Sequence, residues 1–166
     1  MSGARRLLLA GGMALALWGM GYGLWYAVFA EHQALEGIGT SLSSAFSSAA
    51  QRDVEQSGAA LLRYKESKYI YDRQVDVHSH WIGLAMVLIV LGLCFAKVSF
   101  SENTKLWLAA GSLTGALVFP LGVLFQVYDY GPLPRILAIS GSALEIASLC
   151  LVVLGFARRQ SSTPRP

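Results

Sequence analysis

Three histidines are the side chains of this sequence best suited to bind a metal ion or a haem iron. His78 and His80 form the triplet His-Ser-His beside a hydrophobic stretch that begins at Trp81, and His32 follows the end of an earlier hydrophobic stretch. If the two stretches cross a membrane in opposite directions, all three histidines lie at one membrane face. A two-histidine axial set for haem b, or a two- or three-histidine site for copper or zinc, is then geometrically feasible.

The spacing of His78 and His80 limits how they can share a ligand. Two residues apart on a regular helix, their side chains diverge by about 200°. They converge if Val75–Val77 is extended chain that leads into a helix beginning near Trp81. A helix amino terminus also disfavours protonated histidine, and neutral imidazole is the form that binds metal. Interfacial histidines without a ligand, a metal or haem site, and a pH sensor all fit these residues.

The segment from Val77 to Leu84, with its His-x-His pair, resembles the helix starts of haem-binding membrane proteins related to haem–copper oxidase catalytic subunits. The resemblance covers this short segment and implies that His78 or His80 is a haem or metal ligand. The chain has far fewer spans than those subunits and lacks the further histidines of a binuclear centre. The resemblance therefore does not extend to oxygen reduction.

Glu145 is the second residue that could carry chemistry. It lies nine residues into the last hydrophobic stretch, about 13 Å from its start. A carboxyl at such depth is costly and is by default a functional hypothesis. A proton relay, a support for the histidine site and a neutral acid that joins two helices are all compatible with it. Its hydrogen-bond donors could be Ser112, Thr114, Gln126, Ser142 or Ser148.

A polar turn follows the third hydrophobic stretch at Tyr128, Asp129 and Tyr130. An even number of crossings brings this turn to the same membrane face as the histidines. We expect these three residues to lie near the histidines and to modulate their site.

The composition of the chain indicates a membrane protein. Hydrophobic residues make up 54% of the 166-residue chain and charged residues only 14%, against about 25% charged in a soluble protein. A hydrocarbon core needs about 20 apolar residues in a helix. The sequence therefore predicts an all-α integral membrane protein, a four-helix bundle forming a single domain over 1–166. The spans are Leu7–Ala30, Trp81–Phe100, Leu106–Val127 and Ile136–Phe156.

Basic residues gather at one side of this predicted bundle. They are Arg5, Arg6, Lys97, Lys105, Arg158, Arg159 and Arg165. The long first loop on the other side has more acidic than basic residues. By the positive-inside rule both termini are cytoplasmic and the long loop is outside, and we expect a bacterial plasma membrane.

The outer segment, residues 31–77, is predicted to be mostly helical. Its apolar residues recur every three or four positions, which favours an amphipathic helix continuing from the first span. Ser57-Gly58 is the expected break. Within the spans, the GxxxG pairs Gly19/Gly23 and Gly111/Gly115 are expected contact faces between helices, with Ala138 and Ser142 continuing the small-residue pattern.

These features predict a small multi-pass membrane subunit or accessory protein that holds haem b or a metal at the outer face through His32, His78 and His80 and serves electron transfer. A non-redox scaffold or assembly protein is the alternative, and a proton-coupled carrier using Glu145 is a third. Partners would be the lipid bilayer and other membrane subunits or further copies of the chain. The sequence has no catalytic motif, so we assign no catalytic residues, and it has no basic stripe for nucleic acid.

Overall fold

The computed structural model describes the backbone of residues 1–161 and the side chains of residues 1–158. Arg165, one of the basic residues discussed above, lies outside this part. The helices of this part are α1 (Gly3–Phe29), α2 (Glu31–Ala50), α3 (Val54–Cys94), α4 (Glu102–Phe125) and α5 (Pro132–Ser161), and a 3₁₀ turn (Phe95–Lys97) follows α3. Within these residues four helices, α1, α3, α4 and α5, are long and apolar enough to cross a membrane. The all-helical prediction is confirmed, and four helices have the length and apolarity of the four predicted spans.

The outer segment is an antiparallel helical hairpin formed by α2 and the first half of α3. Its turn is set by Arg52, which has a φ of 59°, and by the Asp53 N–H, which donates to Ser48 O at 2.9 Å. This is the Schellman end of a helix. Asp53 then caps α3 by accepting a hydrogen bond from Gln56 N at 3.0 Å. The predicted break at Ser57-Gly58 is wrong, because this capped start already includes both residues in α3.

Helix α3 continues without interruption from the hairpin into the bundle. Its 41 residues span about 60 Å, twice the roughly 30 Å of a hydrocarbon core. Val75–Val77 is helical rather than extended, and Trp81 lies deep inside the helix rather than at its start. The weak strand preference of valine is overridden by packing, since Val77 and Trp81 are fully buried.

Small residues set the closest helix contacts, as the sequence predicted. On α1, a Cβ added to Gly19 would lie 3.0 Å from Trp81 Cβ, and one added to Gly23 would overlap the His78 ring. On α4, a Cβ added to Gly115 would lie 2.9 Å from Gly141 O. Gly141, rather than its neighbour Ser142, therefore forms the α5 side of this contact.

The four long apolar helices α1, α3, α4 and α5 run alternately up and down, whereas α2 continues in the direction of α1, so the helix ends fall into two groups. The hairpin end carries α2, the first half of α3 and the α4–α5 loop. At the opposite end, Ser99 N donates to Gly155 O at 3.1 Å, and the Arg158 guanidinium lies over the Phe100 ring at 5.5 Å. Helix α5 packs mainly on α4 and leaves much of its surface exposed.

Candidate functional site

His78 and His80 lie in the middle of α3, near the level where the hairpin joins the bundle. Their divergence along the helix directs them to different neighbours. The His78 ring contacts α1, whereas the His80 ring contacts Phe119 of α4 with ring centroids 4.7 Å apart. Both side chains are half-buried. The two imidazoles therefore occupy opposite sides of one helix.

His78 is held by the glycine face of α1. Its Nδ1 lies 2.9 Å from Gly19 O, and its ring fills the space above Gly23 that a side chain would otherwise take. A carbonyl oxygen can only accept, so Nδ1 donates to it, and the tautomer of the neutral ring that fits this contact has its proton on Nδ1. Nε2 then carries the free lone pair, which is the arrangement found in metal-bound histidines.

His80 has the same arrangement with a partner on its own helix. Its Nδ1 donates to Asp76 O at 2.6 Å, and Phe119 contacts its ring edge to face. Nε2 is again left as the nitrogen able to bind a metal. Two separate backbone carbonyls thus orient two imidazoles for the same chemistry.

His32 does not join this pair. In the antiparallel packing, Gly23 lies against His78 and Gly37 lies against Ser67, so exposed His32 on α2 is level with Ile70. The eight residues from Ile70 to His78 rise about 12 Å along a helix. Consistent with this separation, residues 1–161 contain no group of three or more histidine, cysteine, aspartate or glutamate side chains that could hold a metal ion.

The Tyr128–Tyr130 turn borders a cavity at the hairpin end. The cavity has a volume of about 560 Å³ and lies between α3, the end of α4 and the start of α5. Asp129 and Tyr130 line it, and the Tyr130 ring contacts Tyr69 of α3 with centroids 6.0 Å apart. Phe119 lines the same cavity and contacts His80. Asp129 and Tyr130 therefore share a cavity with the residue that contacts His80, while Tyr128 is exposed and is not part of the lining.

An aromatic cluster that sequence reasoning missed lies between α1 and α3, one turn beyond His78 on α3. The Trp81 ring contacts Tyr22 and Trp18 edge to face, with centroids 5.2 Å and 5.9 Å apart. Tyr22 OH donates to Gln74 Oε1, and Gln74 is buried. A buried amide one turn before the histidines was the signal available in the sequence, because buried polar groups need partners.

Glu145 is buried where α5 meets α4. Its side chain is 4% exposed, and within the described part of the chain neither carboxyl oxygen has a hydrogen-bond partner. A Cβ added to Gly115 would lie 3.0 Å from Glu145 Cβ, so the α4 backbone covers it. The five donors that the sequence offered form no hydrogen bond to it.

Comparison of the chain with protein-family models, with curated proteins and with solved structures found no match. The geometry of the site is therefore the basis for assigning its chemistry. Because the two rings lie on opposite sides of α3, the donor set fits a ligand bound by one protein imidazole at a time, through the Nε2 lone pair of the neutral ring. It does not assemble the three-histidine arrangement within the described residues.

Proposed function

We propose that this protein is a small multi-pass subunit or accessory protein of a membrane complex that binds haem b or a transition metal through His78 or His80, each acting as a separate ligand on its own side of α3, and serves electron transfer. The observation that carries the proposal is the pair of Nδ1 hydrogen bonds, to Gly19 O at 2.9 Å and to Asp76 O at 2.6 Å. Each fixes the ring and leaves Nε2 as the ligand atom. His32, at a different level, stays outside the proposed site.

The protein lies in the plasma membrane of a bacterium with its hairpin outside and both termini in the cytoplasm. The distribution of basic residues supports this orientation, because Arg5, Arg6, Lys97, Lys105 and Arg158 all lie at the opposite end from the hairpin. The proposed site is then close to the outer membrane surface. Any electron transfer would serve that side or continue through a partner subunit.

The chain's own residues have defined parts in this proposal. Gly23 provides room for the His78 ring, and the two carbonyls hold the tautomers. Trp81, fully buried, limits the access of water from the α1 side. A bound haem or copper ion would supply the one-electron chemistry.

The test is a visible absorption spectrum and a metal analysis of the detergent-purified protein. We expect a Soret band or a stoichiometric metal that is lost in His80→Ala or His78→Ala. His32→Ala is the matched control and should retain the signal, since that residue is exposed and lies at another level. A colourless, metal-free preparation that keeps its fold after incubation with haem and with metal salts would contradict the proposal.

A scaffold or assembly role is the second candidate, and one observation favours it. The hairpin carries exposed apolar side chains outside the hydrophobic half of α3: Phe46 is 69% exposed, Leu62 is 67% and Val54 is 83%. These side chains contact water unless a protein partner covers them. This role predicts that Phe46→Ser with Leu62→Ser lowers the mass of the purified assembly, and an unchanged mass would argue against it.

A further inference from the structure

The cavity beside the Tyr128–Tyr130 turn has a charge pattern that the histidine site does not use. Two arginines line it, Arg73 from α3 and Arg135 from α5, together with one acid, Asp129. Asp129 Oδ1 already accepts a hydrogen bond from Gly131 N at 2.7 Å. The residues that line the cavity thus carry two positive charges against one negative charge, and they offer the donors of two guanidinium groups.

Arg73 is held in place with donor capacity left over. Its guanidinium lies over the Tyr69 ring at 5.1 Å, and one terminal nitrogen is 3.4 Å from Asp76 Oδ2. Its Nε is buried, with no hydrogen-bond partner in the described part of the chain. Arg135, in the first turn of α5, forms no hydrogen bond or ion pair within residues 1–161. Two guanidinium groups in one cavity suit an oxyanion such as phosphate.

The cavity continues into an apolar surface. Ile139 lines it and is 62% exposed. Ile146 and Val153 follow at seven-residue spacing on the same face of α5 and are 59% and 64% exposed. From Ile139 to Val153 this stripe runs about 21 Å toward the opposite end, comparable to an acyl chain in one leaflet.

We infer that this cavity binds the phosphate headgroup of an anionic membrane lipid between Arg73 and Arg135, with an acyl chain along Ile139, Ile146 and Val153. The position supports a lipid as the source of the phosphate, because the cavity lies where α4 and α5 leave the hydrocarbon core. Basic pockets between membrane helices bind phosphate-bearing headgroups on the cytoplasmic side of membranes, and the same pairing of guanidinium with phosphate applies at the hairpin end. The inference goes beyond the proposed cofactor site and needs no group bound at the histidines.

The experiment is native mass spectrometry of the full-length protein with an equal mixture of phosphatidylglycerol and phosphatidylcholine. Both lipids carry a phosphate, but the choline cation of phosphatidylcholine cancels its charge and is repelled by the arginines. A difference of about 1.4 kcal/mol from this charge corresponds to about tenfold, so we expect phosphatidylglycerol to be retained over phosphatidylcholine by about that factor. Arg73→Gln and Arg135→Gln should each reduce the preference, and the double variant should abolish it. Arg63→Gln is the control, because this exposed arginine on the hairpin undergoes the same change in charge.

Three results would overturn the inference. They are equal retention of both lipids, an unchanged preference in the double variant, or stabilisation by inorganic phosphate that matches phosphatidylglycerol and makes the lipid tail irrelevant. Circular dichroism of each variant checks that the helices remain intact. The lipid preference should persist in His80→Ala, which separates this site from the proposed cofactor site.

Discussion

The contact between Gly23 and His78 gives a sharp test of the site. A Cβ at Gly23 would overlap the imidazole, whereas one at Gly21 would meet no atom within 4 Å. Gly23→Ala and Gly21→Ala are therefore the same chemical change on the same helix, with and without a clash. Only the first should force the His78 ring away from Gly19 O.

The cost of this displacement follows from what is broken. Losing a half-buried hydrogen bond costs about 1–3 kcal/mol, and overpacking a close helix contact costs a further 1–3 kcal/mol or so. In both variants, replacing glycine by alanine also stabilises the helix by about 1 kcal/mol. We therefore expect Gly23→Ala to be less stable than Gly21→Ala by about 2 kcal/mol or more, and Gly21→Ala to equal or exceed the native protein.

Unfolding in detergent micelles, followed by circular dichroism, measures this difference. A double-mutant cycle identifies its cause, because His78→Ala removes the ring and should remove the penalty of Gly23→Ala with it. Equal stabilities of the two alanine variants would refute the reasoning. A penalty that persists without the ring would also refute it, since the clash would then be with another group.

Three further predictions test other parts of the structure. Asp53→Ala should destabilise the hairpin by about 1 kcal/mol, because the helix cap is lost. Amide hydrogen exchange should become faster at the tip of the hairpin and stay unchanged in the long apolar helices; uniform acceleration would contradict a local role. Glu145→Gln should change the unfolding free energy by less than about 1 kcal/mol, whereas Glu145→Lys should lower it by about 3 kcal/mol, and equal effects would show that the site is not apolar. With the native cysteines replaced, Ser47→Cys and Ser101→Cys should react with an impermeant thiol reagent from opposite sides of the membrane; labelling from one side would refute the threading.

The spans and their glycine contacts were predictable because lipid constrains them so strongly. A run of about 20 apolar residues has few alternatives to a helix, and Gly19, Gly23 and Gly115 each meet a neighbouring helix as the GxxxG pattern predicts. The course of α3 was not predictable, because Val75–Val77 has weak local preferences and the burial of Val77, which accompanies its helical state, is not visible in the sequence.

The neighbours of the histidines could not be predicted, because they depend on how the helices are aligned against one another in three dimensions. The sequence shows that His78 and His80 diverge on a helix, but not that one meets Gly19 and the other Phe119. It places His32 at the same face, whereas the hairpin separates it by about 12 Å along the helix. The cavity was not predictable from the sequence, because its lining includes Arg73 of α3 and Arg135 of α5, and no local sequence pattern relates these two residues.

The most direct test of the account is the protonation state of the two imidazoles, because the cofactor proposal depends on an unprotonated Nε2 in both. The chain has three histidines, so ¹⁵N-histidine labelling and single His→Ala variants assign each NMR signal. We predict that Nδ1 carries the proton in His78 and His80, and that Nε2 shifts when haem or a metal is added. Protonated Nε2 in both rings, with no change on adding either ligand, would contradict the account.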